Sequence, residues 1–156
     1  MRMVFLLIVL ATFMDGLFAG IAVQKLFVEL PARKTIGAVA FARYARASDM
    51  GNGFYVYPGL AIGGMLLKVL IYVLALETGY PPQAIVPIGL AVAFNIGVLV
   101  TTAFAAPQLL KLRRTEDKAE LLSPLLEKFV TYSYPRAVFM GLQFAAMLWA
   151  LIVVKQ

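Results

Sequence analysis

Four stretches of about twenty mostly apolar residues run along the chain, and more polar segments separate them. An α-helix needs about 20 apolar residues to cross a hydrocarbon core ~30 Å thick, so each stretch predicts one spanning helix. We place these helices at about residues 3–23, 57–77, 85–106 and 132–154 of a single domain, 1–156. The predicted fold class is an all-α membrane protein, a four-transmembrane-helix bundle.

Two long polar linkers, residues 24–56 and 107–131, connect these spans. In the first linker, apolar residues recur at helical spacing from Ile36 to Tyr44 with Arg43 among them. This pattern predicts a short amphipathic helix on the bilayer surface. The second linker is charged, and we expect it to be helical in part.

Prolines mark the expected ends of these elements. Pro31 should end the first element, Pro107 should end the third span, and Pro124 should break the second linker. The reason is that a proline in a helix interior removes a backbone hydrogen bond and clashes with the preceding turn.

Basic residues predict the orientation, because cytoplasmic loops carry an excess of lysine and arginine. The two linkers hold most of them: Lys25, Arg33, Lys34, Arg43, Arg46, Lys111, Arg113, Arg114, Lys118 and Lys128. Both linkers should therefore be cytoplasmic, with both termini and the short loop near residue 80 outside. The expected location is a bacterial inner membrane.

Composition narrows the chemistry. Hydrophobic residues make up 62% of the chain and charged residues 14%, against roughly one half and one quarter in soluble domains. The chain has no cysteine and no histidine, which excludes disulfides, zinc–thiolate sites, iron–sulfur clusters and histidine-ligated haem. We expect no metal and no cofactor. The net charge of +6 reflects topology and the anionic leaflet rather than nucleic-acid binding.

Each span carries one polar residue deep in its apolar stretch: Asp15, Lys68, Asn95 and Gln143. Asp15 lies about eight residues from the cytoplasmic end of its helix and the others about eleven, at depths of roughly 12 and 16 Å. The four side chains should form one layer near the midplane, with Lys68 as the partner of Asp15. Ionisable groups at this depth are costly, about 2.5–3.5 kcal/mol each, and commonly functional. Hydrogen bonding that only fixes helix packing is the alternative.

Small residues beside this layer, such as Ala61 and Gly64, predict a cavity at or just cytoplasmic of the midplane. Its expected boundary comprises Asp15, Lys68, Asn95, Arg136 and Gln143. Its apolar walls should come from Tyr57, Tyr72, Met140 and Met147, and the turn at residues 49–52 should act as a lid. On this basis Gly64→Leu should fill the cavity.

Several motifs together resemble the anthrone-oxygenase-like family of small four-helix bacterial membrane proteins, most of unknown function. The resemblance covers nearly the whole chain and rests on DGLFAG, ELPA, FARYARASDMGNGFYVYPGL, TTAFAAPQLLKL and YSYPRAVF. Helix four of such families often opens with a histidine shortly before an arginine. Arg136 matches the arginine, whereas Ser133, Tyr134 and Pro135 precede it here. The resemblance implies a membrane-embedded site for a flat lipophilic molecule, with oxidation of an anthrone in the named members.

The predicted function is binding, with cofactor-free oxidation as its catalytic form, of a lipophilic aromatic or quinone-like molecule. Asp15 would accept a proton, Lys68 or Arg136 would stabilise developing negative charge, and Asn95 and Gln143 would orient the substrate. Further substrate contacts are expected from Tyr57, Tyr72 and Asn52. The residues suit an enzyme and a binding protein equally. Expected partners are the lipid bilayer, the lipophilic ligand, and either further copies of the chain or a larger membrane complex.

Two other functions compete with this one. A non-enzymatic accessory subunit of a larger membrane complex would use the same polar layer only for packing. A four-helix glutathione- or eicosanoid-type membrane enzyme is the second alternative. It resembles this chain in size, and Arg46 and Asn52 are roughly placed for its motif, but the motif's glutamate is absent. Transport is less expected, because four helices leave little room for a pathway.

Overall fold

The computed structural model of the protein describes residues 2–155, and these residues form a helical bundle. In chain order the elements are α1 (Arg2–Gln24), a π-helical segment π1 (Lys25–Glu29), α2 (Leu30–Ile36), α3 (Ala38–Ala47), a second π-helical segment π2 (Ser48–Asn52), α4 (Gly53–Glu77), α5 (Pro82–Arg114) and α6 (Ala119–Lys155).

Within residues 2–155, four helical stretches are long and apolar enough to cross a membrane. They are Arg2–Ile36, Ala38–Glu77, Pro82–Arg114 and Ala119–Val154. The prediction of an all-α bundle with four spanning helices is confirmed at this level. The 33 residues of α5 extend to about 50 Å, well beyond a ~30 Å hydrocarbon core. The bundle therefore continues past the apolar spans at the end formed by residues 24–56 and 107–131, which we call the linker end.

The helices pass through prolines that were expected to stop them. α5 continues through Pro107 to its last residue, and α6 begins at Ala119 and runs through Pro124 and Pro135. The predictions that Pro107 ends the third span and that Pro124 breaks the second linker are therefore wrong. A helix tolerates the lost hydrogen bond when neighbouring helices and local adjustments satisfy the freed backbone groups.

The first linker is also helical for most of its length. Pro31 does not end the continuous helix formed by α1, π1 and α2, and the hydrogen bonding of π1 explains why. The Leu30 N–H donates to the carbonyl of Lys25, five residues earlier. Pro31 follows directly, in the first turn of α2, where the lack of an N–H is tolerated. The chain instead turns at Gly37, whose φ of 85° lies in the left-handed region that glycine adopts readily.

The second π-helical segment ends at a close backbone approach. The Gly53 N–H contacts the Ser48 carbonyl five residues earlier. A Cβ on Gly53 would lie 2.7 Å from that carbonyl oxygen and 2.9 Å from the Tyr57 ring. A side chain at this position would therefore push π2 and α4 apart.

Three buried clusters fill the bundle along its length. The cluster far from the linkers includes Val4, Ile8, Ile71, Ile88 and Met147. The middle cluster contains Phe18, Ala22, Ala61, Val98 and Met140. The cluster at the linker end includes Leu30, Phe41, Leu112, Leu122 and Phe129, which shows that both linkers pack into the same end of the bundle.

α5 and α6 approach each other closely at Gly97. A Cβ there would lie 2.8 Å from Cγ and Cδ1 of Phe139. We expect Gly97→Ala to destabilise the protein by about 1–3 kcal/mol, because the ring must move to accommodate the methyl group. Gly141→Ala is the matched control, since nothing lies within 4 Å of its Cβ; it should be neutral or stabilise by up to ~1 kcal/mol. Thermal unfolding in detergent measures both, and equal stabilities would contradict the close packing.

Arg46 forms hydrogen bonds that link α3 to the last turn of α5 and to the loop between α5 and α6. Its guanidinium donates to the carbonyls of Leu112 (2.9 and 3.0 Å) and Thr115 (2.6 Å) and to the Asp117 carboxylate (2.5 Å). Arg43 donates to the other Asp117 oxygen at 2.8 Å. This cluster holds the first linker against the second.

The hydrogen bonds from Arg43 and then Arg46 lower the pKa of Asp117 below its ordinary value of 3.8. A carboxyl group whose pKa is lowered by folding adds stability above its ordinary pKa, and this stability is lost as the pH falls through the lowered value. The stability difference between the wild type and Asp117→Asn should therefore stay constant from neutral pH to about pH 4 and shrink in stronger acid. Thermal unfolding over pH 3–7 tests this, with Glu120→Gln as a charge-matched control. A difference that shrinks well above pH 4 would contradict the assignment.

Candidate functional site

The predicted polar layer is present, and its two charged members are paired. The Lys68 ammonium donates to Asp15 Oδ1 at 2.6 Å, and the two side chains are only 1% and 3% exposed. Gly64 lies against this pair, because a Cβ there would be 3.6 Å from Lys68 Nζ and 3.9 Å from Asp15 Oδ1. The structure confirms Lys68 as the partner of Asp15.

The two amide residues complete the layer. Asn95 donates from Nδ2 to the Ala61 carbonyl at 3.4 Å, a long contact, and Gln143 is fully buried. Within residues 2–155, Asp15 Oδ2 and both amide atoms of Gln143 have no hydrogen-bond partner. All four polar side chains are thus enclosed by the bundle, and none of them lines the cavity described next.

A cavity of about 230 Å³ lies between the helices on the linker side of this layer. Its walls are mainly apolar, with contributions from Phe18, Ile21, Leu26, Ala61, Ile62, Leu99, Leu109, Phe129 and Met140. Ala61 joins the two regions, since its carbonyl contacts Asn95 while the residue lines the cavity. Ile62 lines the cavity and is also 54% exposed, so the cavity reaches the lipid-facing surface beside α4.

Arg136 forms part of the polar end of the cavity. It lies seven residues before Gln143 on α6, about 10 Å towards the linker end. Its Nη2 donates to Ser133 Oγ at 3.3 Å, and its guanidinium carbon lies 5.6 Å from the centre of the Phe129 ring. Within residues 2–155 no carboxylate forms a salt bridge with Arg136. Its guanidinium therefore keeps donors that no protein anion occupies.

Lys25 and Asp49 provide the other charges of the polar end. They form a buried ion pair, and Lys25 also lies 3.5 Å from a carboxylate oxygen of Glu29. The Lys25 ammonium lies 5.8 Å from the centre of the Tyr57 ring and 5.9 Å from that of Phe129. These distances fall within cation–π range. Lys25 is therefore surrounded by carboxylates and aromatic faces.

The backbone that presents this ion pair is π-helical on both sides. Lys25 is the first residue of π1, and Asp49 is the second residue of π2. Gly51 within π2 departs from helical geometry, with φ −86° and ψ −121°. Each π turn adds a residue to the turn and shifts the faces of the following helix. Such turns occur frequently at functional sites, and here both carry a buried charge beside the cavity.

The structure brings together only part of the predicted site. Arg136, Tyr57 and Met140 line the cavity as predicted. Asp15, Lys68, Asn95 and Gln143 do not line it; they form the closed layer beyond it, so the predicted boundary of the cavity is wrong for these four residues. The cause is that the pairing of Asp15 with Lys68 fills the space between their helices.

Four smaller predictions also differ from the structure. Tyr72 and Met147, predicted for the cavity wall, belong instead to the apolar cluster far from the linkers and do not line the cavity. Asn52 is exposed and does not line the cavity. Gly64 faces the ion pair, so Gly64→Leu would press on that pair instead of filling the cavity.

The polar residues that sequence reasoning missed are Lys25, Asp49, Thr102 and Ser133. Lys25 was counted only as a basic linker residue, although the apolar residues 26–28 that follow it continue the helical pattern. Asp49 was considered only as the start of the predicted lid. Within residues 2–155 no group of three or more histidine, cysteine or acidic side chains could hold a metal ion. The charged residues of the cavity are instead arranged around a space lined by apolar side chains.

Together, fold and site define an all-helical bundle suited to a membrane, with a partly open cavity that has apolar walls and a charged end. No family model, curated protein or solved structure matches the chain. The cavity and its side chains are therefore the features from which a function can be inferred.

Proposed function

We propose that this protein binds a compact lipophilic molecule, aromatic or quinone-like, in the cavity between its membrane helices. The observation that carries this proposal is the partly open cavity with apolar walls and Arg136, Lys25 and Asp49 at one end. Ligand sites are typically apolar clefts in which a few polar groups fix the orientation of the ligand. The volume of about 230 Å³ lies below the usual ~300–1,000 Å³, which favours a small ligand.

The exposed position of Ile62 supports entry of the ligand from the bilayer. A lipophilic molecule concentrates in the hydrocarbon region, and the cavity meets the lipid-facing surface beside α4. The aromatic side chains of Phe18, Tyr57 and Phe129 in the lining suit a flat ring system, because aromatic rings pack favourably against one another.

Oxidation of the ligand has weaker support than binding. Asp15 and Lys68, the predicted proton acceptor and charge stabiliser, are sealed from the cavity, so neither contacts a molecule bound there. Among the three predicted catalytic residues, Arg136 alone lines the cavity. We therefore propose binding as the function and leave oxidation as an expectation of the family resemblance.

A cavity-filling variant tests the binding proposal. Ala61→Phe should place a ring in the cavity, whereas Ala103→Phe makes the same change on the exposed surface of α5. With 1,4-naphthoquinone as the probe in mild detergent, wild type and Ala103→Phe should bind about one molecule per chain in a saturable manner. Ala61→Phe should bind at least about tenfold more weakly, as expected when a pocket is occupied by a side chain. Equal binding by all three proteins would contradict the proposal.

The closed polar layer is the observation that favours the alternative function, an accessory subunit of a larger membrane complex. A fully enclosed ion pair fixes helix positions without needing a ligand, and the bundle exposes large apolar side chains such as Leu6, Phe13 and Leu66 that suit lipid or other helices. Under this alternative, mass spectrometry of the protein purified in mild detergent should find a stoichiometric protein subunit and no small molecule.

We also propose that the linker end faces the cytoplasm, from the concentration of basic residues there, in a bacterial inner membrane. Glu116 and Gln83 are exposed at opposite ends of α5 and its flanking loop, and the chain has no native cysteine. Glu116→Cys should react with a membrane-impermeant maleimide only from the cytoplasmic side, and Gln83→Cys only from outside. The reverse labelling pattern would overturn this orientation.

A further inference from the structure

The charged end of the cavity has more positive than negative side chains. Two cations, Lys25 and Arg136, and one anion, Asp49, line it. Lys25 is compensated by Asp49 and also by Glu29, which does not line the cavity. Arg136 is therefore the cation of this end that forms no salt bridge within residues 2–155. Asp49 attracts it electrostatically but is already paired with Lys25.

The geometry around Arg136 suits an anionic oxygen group. A guanidinium presents planar paired donors that match a carboxylate, and such charge-assisted hydrogen bonds are about twice as strong as neutral ones. Here the only side-chain hydrogen bond found for Arg136 within residues 2–155 is the 3.3 Å contact with Ser133. The Ser133 hydroxyl donates to the Phe129 carbonyl at 2.8 Å, so its oxygen accepts from Arg136 and helps to hold the guanidinium in place.

The rest of the cavity excludes a highly charged ligand. Asp49 faces the same space and would repel a second negative charge. The walls beyond the charged end are formed by apolar side chains such as Phe18, Leu99 and Met140. A ligand that satisfies both regions carries one negative charge at one end and an apolar body of limited size.

We infer that the ligand is a singly acidic lipophile whose anionic oxygen group binds Arg136 while its apolar body lies towards Ala61 and Met140. This inference rests on the proposed function and specifies the charge of its ligand. Two sources share this chemistry, a flat aromatic acid and a fatty acid, and the small volume of about 230 Å³ favours the compact aromatic acid.

Matched acid and amide probes test the inference. We would measure binding of 2-naphthoate and 2-naphthamide, and of dodecanoate and dodecanamide, by equilibrium dialysis in mild detergent at pH 7. The proteins are wild type, Arg136→Gln, Arg136→Lys, and Lys128→Gln, which removes an exposed cation from the same helix. Ala61→Phe reports binding outside the cavity, and thermal unfolding verifies that each variant is folded.

The expected result is that wild type and Lys128→Gln bind at least one acid about tenfold or more tightly than its amide. Arg136→Gln should lose this preference while still binding the amide, and Arg136→Lys should retain part of it. A preference for naphthoate identifies the aromatic source, and a preference for dodecanoate the acyl source.

Two outcomes separate failure of this inference from failure of the proposed function. In the first outcome, wild type binds acid and amide equally, Arg136→Gln changes nothing and Ala61→Phe abolishes binding. The cavity then binds lipophiles, but the inference that its ligand carries an acidic group is wrong. If no probe binds wild type more tightly than Ala61→Phe, both the acidic ligand and the proposed function are overturned.

Discussion

Replacing Lys68 with methionine should destabilise the protein by about 3–5 kcal/mol, and so should replacing Asp15 with asparagine. The double variant should lose less stability than either single variant. The two side chains are paired at 2.6 Å and almost completely buried. Each single change therefore leaves a charge that neither solvent nor a partner compensates, whereas the double change removes both charges.

Proton transfer limits the part of these losses that comes from the unpaired charge, to which lost packing and hydrogen bonding add. An aspartate without its partner can become neutral by binding a proton at pH 7, which costs about 4 kcal/mol relative to the ionised group in water. A lysine without its partner can become neutral by releasing a proton, which costs about 5 kcal/mol. Because the two side chains are almost completely buried, water cannot take the place of the partner that is removed. We therefore expect large single effects that do not add.

A thermal-stability double-mutant cycle in detergent measures this coupling. Lys111→Met is the matched control, because it removes an exposed lysine of α5 and should change stability by less than about 1 kcal/mol. Additive losses in the cycle would show that Asp15 and Lys68 contribute independently, and a stable Lys68→Met variant would contradict the pairing itself.

The polar layer was predictable from the sequence because depth in a membrane helix follows directly from residue count. Asp15 and Lys68 occupy similar depths on separate spans, and an unpaired charge there is expensive, so they had to meet. The same reasoning could not decide whether the layer borders a cavity. That depends on whether the side chains close the space between the helices, and the direct contact of Lys68 with Asp15 does close it.

The lining of the cavity was predicted only in part because two of its charged residues, Lys25 and Asp49, lie in the first linker, which was interpreted as a polar connection between spans. A 3.6-residue period indicates an α-helix, but π1 and π2 each change that period within five residues. Lys25, the first residue of π1, continues the buried face of Phe18 and Ala22 at ordinary helical spacing. Asp49, by contrast, lies inside π2, where a 3.6-residue period does not predict which positions face inward. The predictions for Pro107 and Pro124 were wrong for a related reason. The local preference of proline to end a helix was outweighed by tertiary packing along α5 and α6.

Within the charged end of the cavity, Lys25→Met should destabilise the protein considerably more than Asp49→Asn. Asp49 forms a salt bridge with Lys25 and with no other residue of the described part of the chain. Lys25→Met therefore leaves a carboxylate that is 4% exposed without its partner, at a cost of about 3–5 kcal/mol. After Asp49→Asn, by contrast, Lys25 keeps Glu29 at 3.5 Å and the faces of Tyr57 and Phe129, so a loss of about 1–2 kcal/mol is expected.

Thermal unfolding of the two variants in the same detergent measures this asymmetry, and Lys34→Met controls for the loss of an exposed lysine in the same linker. The combination of Asp49→Asn with Glu29→Gln should then become as unstable as Lys25→Met, because Lys25 has lost both carboxylates. If Asp49→Asn alone were as costly as Lys25→Met, Glu29 would not share the charge of Lys25, and Asp49 would be the carboxylate that compensates it.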